Sequence, residues 1–186
     1  ERIDKGVDII LKTPPAGAGS HTLDVVGYGD DVDGLAPDLN AFNVAAFRSG
    51  VLTDDTVANK ITLSYASSAL TWSGGSGKWD AGVTTSWAEN DNKFYQGDAV
   101  TFNDPGSETT VTLEGALSPS LITVNGANNY IFTQDTTPET GKPGSIVSGS
   151  IVKNGTGILV LASANTFAGG TTVNGGTLQI SADNNL

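Results

Sequence analysis

Two sets of residues have the types that hydrolytic chemistry needs: His21 with its neighbours Ser20 and Asp24, and the carboxylates Asp80, Glu89, Asp91 and Asp98. His21 is the only histidine, and the chain has no cysteine and no methionine. Thiol nucleophiles, disulfides and Cys-ligated zinc are therefore excluded. Ser20, His21 and Asp24 do not make a triad, because such close sequence neighbours rarely converge as a triad must. A solvated loop is expected there instead. Carboxylates along one face, often with Arg or Lys, are the tools of glycosidases and polysaccharide lyases. Asp80, Glu89, Asp91 and Asp98 are close enough in sequence to approach one another. Beyond residue 110 the acids are only Glu114, Asp135, Glu139 and Asp183. The acidic stretch Gly27–Gly34 hints at calcium through Asp30, Asp31 and Asp33. Against the EF-hand template, however, Gly29 and Asn40 stand where ligands belong, the latter in place of the closing Glu. A solvated acidic loop is the expectation. Trp72, Trp79, Trp87 and Tyr95 could stack on sugar rings, but bulky aromatics usually bury, and core packing is expected of them. No catalytic, cofactor-binding or metal-ligating residue is assigned, and the sequence names no binding residue.

The elements that would hold these groups are set by composition. Asp and Glu number 20 against 9 Lys and Arg, a formal charge of −11. That balance opposes nucleic acid and anionic lipid as partners, since both need a basic surface. No run reaches the ~18 apolar residues of a membrane-spanning helix. The start at Glu1–Asp4 is no signal peptide, and an internal fragment is expected from the abrupt ending Asn184-Asn185-Leu186. Glycine, at 24 residues, is well above its usual share, and Thr, Ser, Asn and Val are plentiful. This mix favours strands and turns over helices.

Short β-branched or aromatic runs predict strands at 7–11, 23–26, 61–65, 69–72, 99–102, 110–113, 121–124, 130–132, 150–152, 158–161, 171–173 and 177–180. Residues 37–48 offer apolar spacing that suits a helix or a strand, and the β-rich context favours a strand. The chain divides near residue 68. Residues 1–68 carry irregular acidic loops and are expected to be further coils of the same body or a cap. Residues 69–186 settle into a rhythm, interrupted by a proline-containing loop at 134–145.

That rhythm is a repeat. Sliding Gly157–Phe167 forward by 19 residues sets Leu159 on Leu178, Leu161 on Ile180, Asn165 on Asn184 and Phe167 on Leu186. Asn154-Gly155 meets Asn174-Gly175 at an offset of 20, and Asn125-Gly126 joins the same column if the 134–145 loop accounts for the spacing of 29. A period near 20 residues with two or three strands per repeat signals a solenoid. One repeat cannot bury its alternating aliphatics alone, whereas stacked coils line a continuous interior. In a parallel β-helix, glycines turn the corners and each Asn bonds to the one above. An antiparallel sandwich with Asn-Gly hairpins is the alternative, disfavoured by the even spacing.

The stretch Gly155–Ser181 resembles the passenger-associated strand repeat of bacterial autotransporters. The likeness runs through Gly155-Thr156-Gly157, Asn165-Thr166-Phe167, Gly169-Gly170-Thr171-Thr172, Gly175 and Leu178. Leu70–Asp104, with Trp72, Trp79, Trp87 and Phe102, resembles the segment that often precedes such repeats. The resemblance covers about residues 70–186 and implies an all-β, right-handed parallel β-helix with irregular loops. It further implies display on a Gram-negative cell surface by a C-terminal outer-membrane β-barrel, whose serial lipid-facing strands are not seen in this sequence. The expected role is non-enzymatic: a scaffold in adhesion or aggregation, with residues 69–186 templating passenger folding as an autochaperone. The expected partners are a host-cell surface or another copy of the chain. A carbohydrate-active enzyme or sugar-binding module on the same fold is the alternative, because fold alone does not set function.

Overall fold

The computed structural model describes residues 7–8, 11, 15, 17–27, 39, 42–104, 109–135 and 143–182. Within them every element is a strand, and the pairing changes character near residue 68. A short parallel pair joins β1 (Val7–Asp8) to β3 (Phe42–Asn43). The acidic positions 28–34 and Asn40, Glu139, Asp183, Asn184 and Leu186 lie outside the described residues.

The first part is an antiparallel sheet in which β5 (Lys60–Ser67) lies between β2 (Gly19–Gly27) and β4 (Arg48–Asp55). Strict alternation writes this sheet: Ile61, Leu63 and Tyr65 of β5 are buried, and the residues between them are not. The side-chain period of two sends one set inward. A turn joins β4 to β5, with the Asp55 carboxylate accepting the Val57 and Ala58 amides and Asn59 at φ 51°. The core beneath is small: Leu11, Phe47, Leu63 and Tyr65.

From residue 69 the strands pair in parallel. They are β6 (Ala69–Thr71), β7 (Lys78–Trp79), β8 (Ala99–Phe102), β9 (Thr110–Leu113), β10 (Ala116–Leu117), β11 (Leu121–Val124) and β12 (Tyr130–Gln134). They continue as β13 (Ser145–Ile146), β14 (Ile151–Lys153), β15 (Ile158–Leu161), β16 (Thr171–Val173) and β17 (Thr177–Ile180). One sheet runs β6-β8-β11-β14-β16 and a second runs β7-β9-β12-β15-β17. β10 pairs with β13 as a third face. Each pass of the chain thus adds one strand to each long sheet, and we call such a pass a tier.

The pairing is that of the repeat. Leu159 stands opposite Leu178 and Leu161 opposite Ile180. Leu159 is fully buried, and Leu178 packs against the same core. Lys153 faces Val173 on one side and Val124 on the other, which places Asn125, Asn154 and Asn174 in one column. The spacing of 29 between the first two holds the 134–145 loop, as the sequence requires. The Asn-Gly pairs are corners of parallel sheets, so the hairpin alternative fails. Strands β4, β7, β10 and β13 were not legible in the sequence, the last three being two residues each.

Glycine makes this stacking possible where backbones touch. A methyl group on Gly155 would overlap the carbonyl oxygens of Asn125 and Gly126 in the tier before. No backbone so close can yield cheaply.

Candidate functional site

The aromatic residues form the nucleus of the parallel part rather than a platform. Trp72, Trp79 and Trp87 are all buried, with Phe94, Phe102, Tyr130 and Phe132 around them. Trp79 contacts Trp87, Phe94, Phe102 and Phe132 at ring-centroid distances of 5.4–5.9 Å. Most of these contacts are edge-to-face, the geometry that ring quadrupoles favour. Tyr95 behaves differently. It is half-exposed, its hydroxyl donates to Asp91 at 2.8 Å, and the Arg48 guanidinium lies 4.5 Å from its ring centroid.

Arg48 gathers two of the four candidate carboxylates. Its guanidinium donates to Asp91 at 3.0 Å, to Asp98 at 2.9 Å and to the Lys93 carbonyl at 3.0 Å. The side chain of Asp98 is fully buried and that of Arg48 is 15 % exposed. Asp98 also accepts the amides of Ser68 and Tyr95. Burial pushes the Asp98 carboxyl above its ordinary range, more than Arg48 and the amides pull it down. For Arg48 burial opposes the charge, but Asp98 and Asp91 outweigh it and hold the pKa above its usual value. Burial likewise works against the Asp91 charge, yet the hydroxyl of Tyr95 and the guanidinium of Arg48 hold its carboxyl low. A bulge interrupts β4 just after Arg48, with Ser49 at φ 53°. Bulges of this kind re-aim side chains. The result is a clasp between the antiparallel sheet and the segment 91–98. Gly97, at φ 92°, completes the contact, because a Cβ there would meet the Tyr65 ring at 2.9 Å.

Asp80 and Glu89 do not join this group. The Asp80 carboxylate accepts the amides of Val83 and Thr84 and the Thr84 hydroxyl. Glu89 accepts the Thr71 amide at 2.6 Å. A second cluster appears where the sequence had pointed to isolated acids. Lys78 Nζ lies 3.2 Å from Glu114 and 3.5 Å from Asp135. Successive tiers carry these residues: Glu114 N–H donates to the Trp79 carbonyl and Asp135 N–H to that of Leu113. Both carboxylates share one ammonium, which holds them as anions rather than as a proton donor and acceptor pair.

His21 finds a partner 46 residues away, in neither Ser20 nor Asp24. Its Nε2 lies 2.7 Å from Ser67 Oγ. The Ser67 hydroxyl donates to the Gly17 carbonyl at 3.0 Å, so its one proton is committed and His21 is the donor. That orientation makes a structural link, not a nucleophile with its base.

The most regular chemistry on the surface is a column of amides. Asn174 donates to Asn154 at 2.8 Å, Asn154 to Asn125 at 2.9 Å, and Asn125 to Asn103 at 3.1 Å. Asn103 went unrecognised in the sequence because Asp104, not Gly, follows it. The Asp104 carboxylate holds the next corner through the Ala127 and Asn128 amides. Beside this column Lys153 occupies an inward position, fully buried, with the carbonyls of Gly155 and Gly175 as its described partners. Burial pushes its pKa below the ordinary lysine value.

Residues 151–180 match the family model described as Passenger-associated-transport-repeat. The match begins with β14 and ends with β17, so it spans the two tiers whose register the sequence repeat specifies. This stretch is a passenger-associated-transport repeat, consistent with an autotransporter passenger domain. No curated protein and no solved structure matches the chain.

Proposed function

We propose that the chain is a surface-displayed segment of an autotransporter passenger. Its parallel part is a right-handed β-helix that serves as a non-enzymatic scaffold for adhesion or aggregation. The observation that carries this reading is the coincidence of the 151–180 repeat with two tiers paired in register on those before them. Stacked tiers form with a costly nucleus and cheap extension. The buried aromatic cluster supplies such a nucleus, which supports an autochaperone role for residues 69–186. Anchoring by an outer-membrane β-barrel of the parent protein, and a host surface or another copy as partner, belong to the same proposal. Deleting residues 69–186 from the parent protein tests it. Passenger exported but newly protease-sensitive fits a folding template. Protease-resistant passenger that has lost clumping or adhesion fits a binding surface. Unchanged display, resistance and adhesion would sink the proposal.

The cluster of Lys78, Glu114 and Asp135 is the one feature that favours a carbohydrate-active reading. Turnover of acidic or neutral oligosaccharides, lost on Glu114→Gln, would establish that alternative.

A further inference from the structure

The two ends of the parallel stack are finished differently. At the first tier the outer edge of β6 is closed. Ala88 N–H donates to the Thr71 carbonyl at 2.9 Å, Thr71 N–H donates to the Glu89 carboxylate, and Trp72 bridges to Trp87. A carboxylate on a strand edge also repels an incoming carbonyl. At the last tier, among the described residues, β16 pairs only with β14 and β17 only with β15. Gly170 and Asn174 bond towards β14, while Thr177 and Ser181 bond towards β15. Alternation therefore turns the main-chain groups of Thr171, Val173, Leu178 and Ile180 to the open edge.

The side chains at that end repeat the interior of the tiers before it. Ile180 continues the Leu161 column and is 37 % exposed, and Val173 follows Lys153 and is 47 % exposed. Asn174 ends the amide column with its donor used and its carbonyl oxygen facing onward. Residues 169–182 contain no charged side chain in a chain of net charge −11. A terminal repeat that faces water carries a polar outer surface, which this one lacks.

We propose that the β16/β17 end is a docking surface for one further tier of the same chemistry. Its occupant is a strand–Asn-Gly-Gly–strand segment that pairs in parallel and donates its Asn amide to Asn174. Docking there repeats the interface already made between successive tiers. A second copy of the chain does not fit head to tail, because its own first tier is closed by residues 86–89. The proposal rests on the β-helix reading above.

The probe is a peptide with the sequence of residues 169–182 and a photoreactive group, titrated against the intact chain. The expected result is saturable one-to-one binding, cross-linked to residues 171–181. Val173→Pro, which removes only an edge-facing amide, weakens binding about tenfold or more. The double substitution Val173→Lys with Ile180→Lys gives the same loss by charge, should the proline variant misfold. Absence of saturable binding, equal binding of a scrambled peptide, or cross-links to residues 69–89 overturns the proposal. So does self-association of the chain through this edge without peptide. A separate variant, Asn154→Cys with Asn174→Cys, tests the stacking itself, since adjacent strands lie within disulfide reach. Disulfide formation without peptide binding defeats the docking end alone, and failure of the disulfide defeats the β-helix reading with it.

Discussion

The antiparallel sheet and the parallel stack solve the same problem of burying alternating side chains by opposite routes. In the sheet, β5 meets β4 through a short turn, so contacts are local and one face covers a core of a few residues. The other face stays wet, and Val51 and Val57 are exposed there and in the turn. In the stack a strand meets its partner only after a full pass of the chain, and the buried residues run from Leu70 to Leu161 in one continuous cluster. Local pairing suits a self-contained unit, whereas stacking gains with each added tier. Arg48 is the hinge of the comparison, because it belongs to the sheet and is held by the stack.

Substitutions separate the two parts. Trp79→Ala removes the centre of the aromatic nucleus and is expected to cost about 3–5 kcal/mol. Amide exchange should then rise in β9 and β12 before β5, and equal loss in both parts would show that they unfold as one. Arg48→Ala leaves Asp98 buried without its cation, an expected loss of about 3 kcal/mol. Calorimetry should resolve two transitions where the intact chain gives one. Asn154→Ala removes both bonds at an exposed point in the amide column and should cost about 1 kcal/mol by urea denaturation, confined to the stack.

The smallest effects appear with pH, and their signs oppose one another. Burial lowers the Lys153 pKa, so the folded chain sheds that proton before the unfolded chain does. Stability contributed by the stack should climb as pH rises towards the ordinary lysine value of 10.5, and Lys153→Met should flatten the climb. Burial raises the Tyr65 pKa from 10.0 to about 12. Between these values the unfolded chain loses its proton first, so the sheet should lose stability from pH 10.0 to about 12. Tyr65→Phe should abolish that loss and leave neutral-pH stability nearly unchanged, since the Tyr65 hydroxyl is buried without a hydrogen-bond partner among the described residues. A Tyr65→Phe variant that melts much lower at neutral pH would reveal a partner for that hydroxyl.

Much of the stack was legible because its strands alternate and its corners repeat. The strands at 99–102, 110–113, 121–124, 158–161, 171–173 and 177–180 fall where the residue pattern puts them. The two-residue strands were not, because two residues carry no period. β4 was missed for another reason. Its exposed side alternates polar and apolar residues weakly, and β5 supplies most of its definition. Residues with chemical character were harder still. His21 was expected in a loop and lies in β2, opposite Tyr65 and bonded to Ser67. The Lys78 cluster joins tiers separated in sequence by 36 residues at its nearer pair.

By itself the sequence determined the β composition, the repeat and its register, since these follow from side-chain period and from corners that only Gly and Asn tolerate. It also determined that the tryptophans bury, because of their apolar area. The tertiary structure alone decided which charges meet, that one end of the stack is closed and the other open, and that Lys153 lies inside. Each of these depends on the distance between groups remote in sequence, and electrostatic and edge-pairing energies change over a few ångströms.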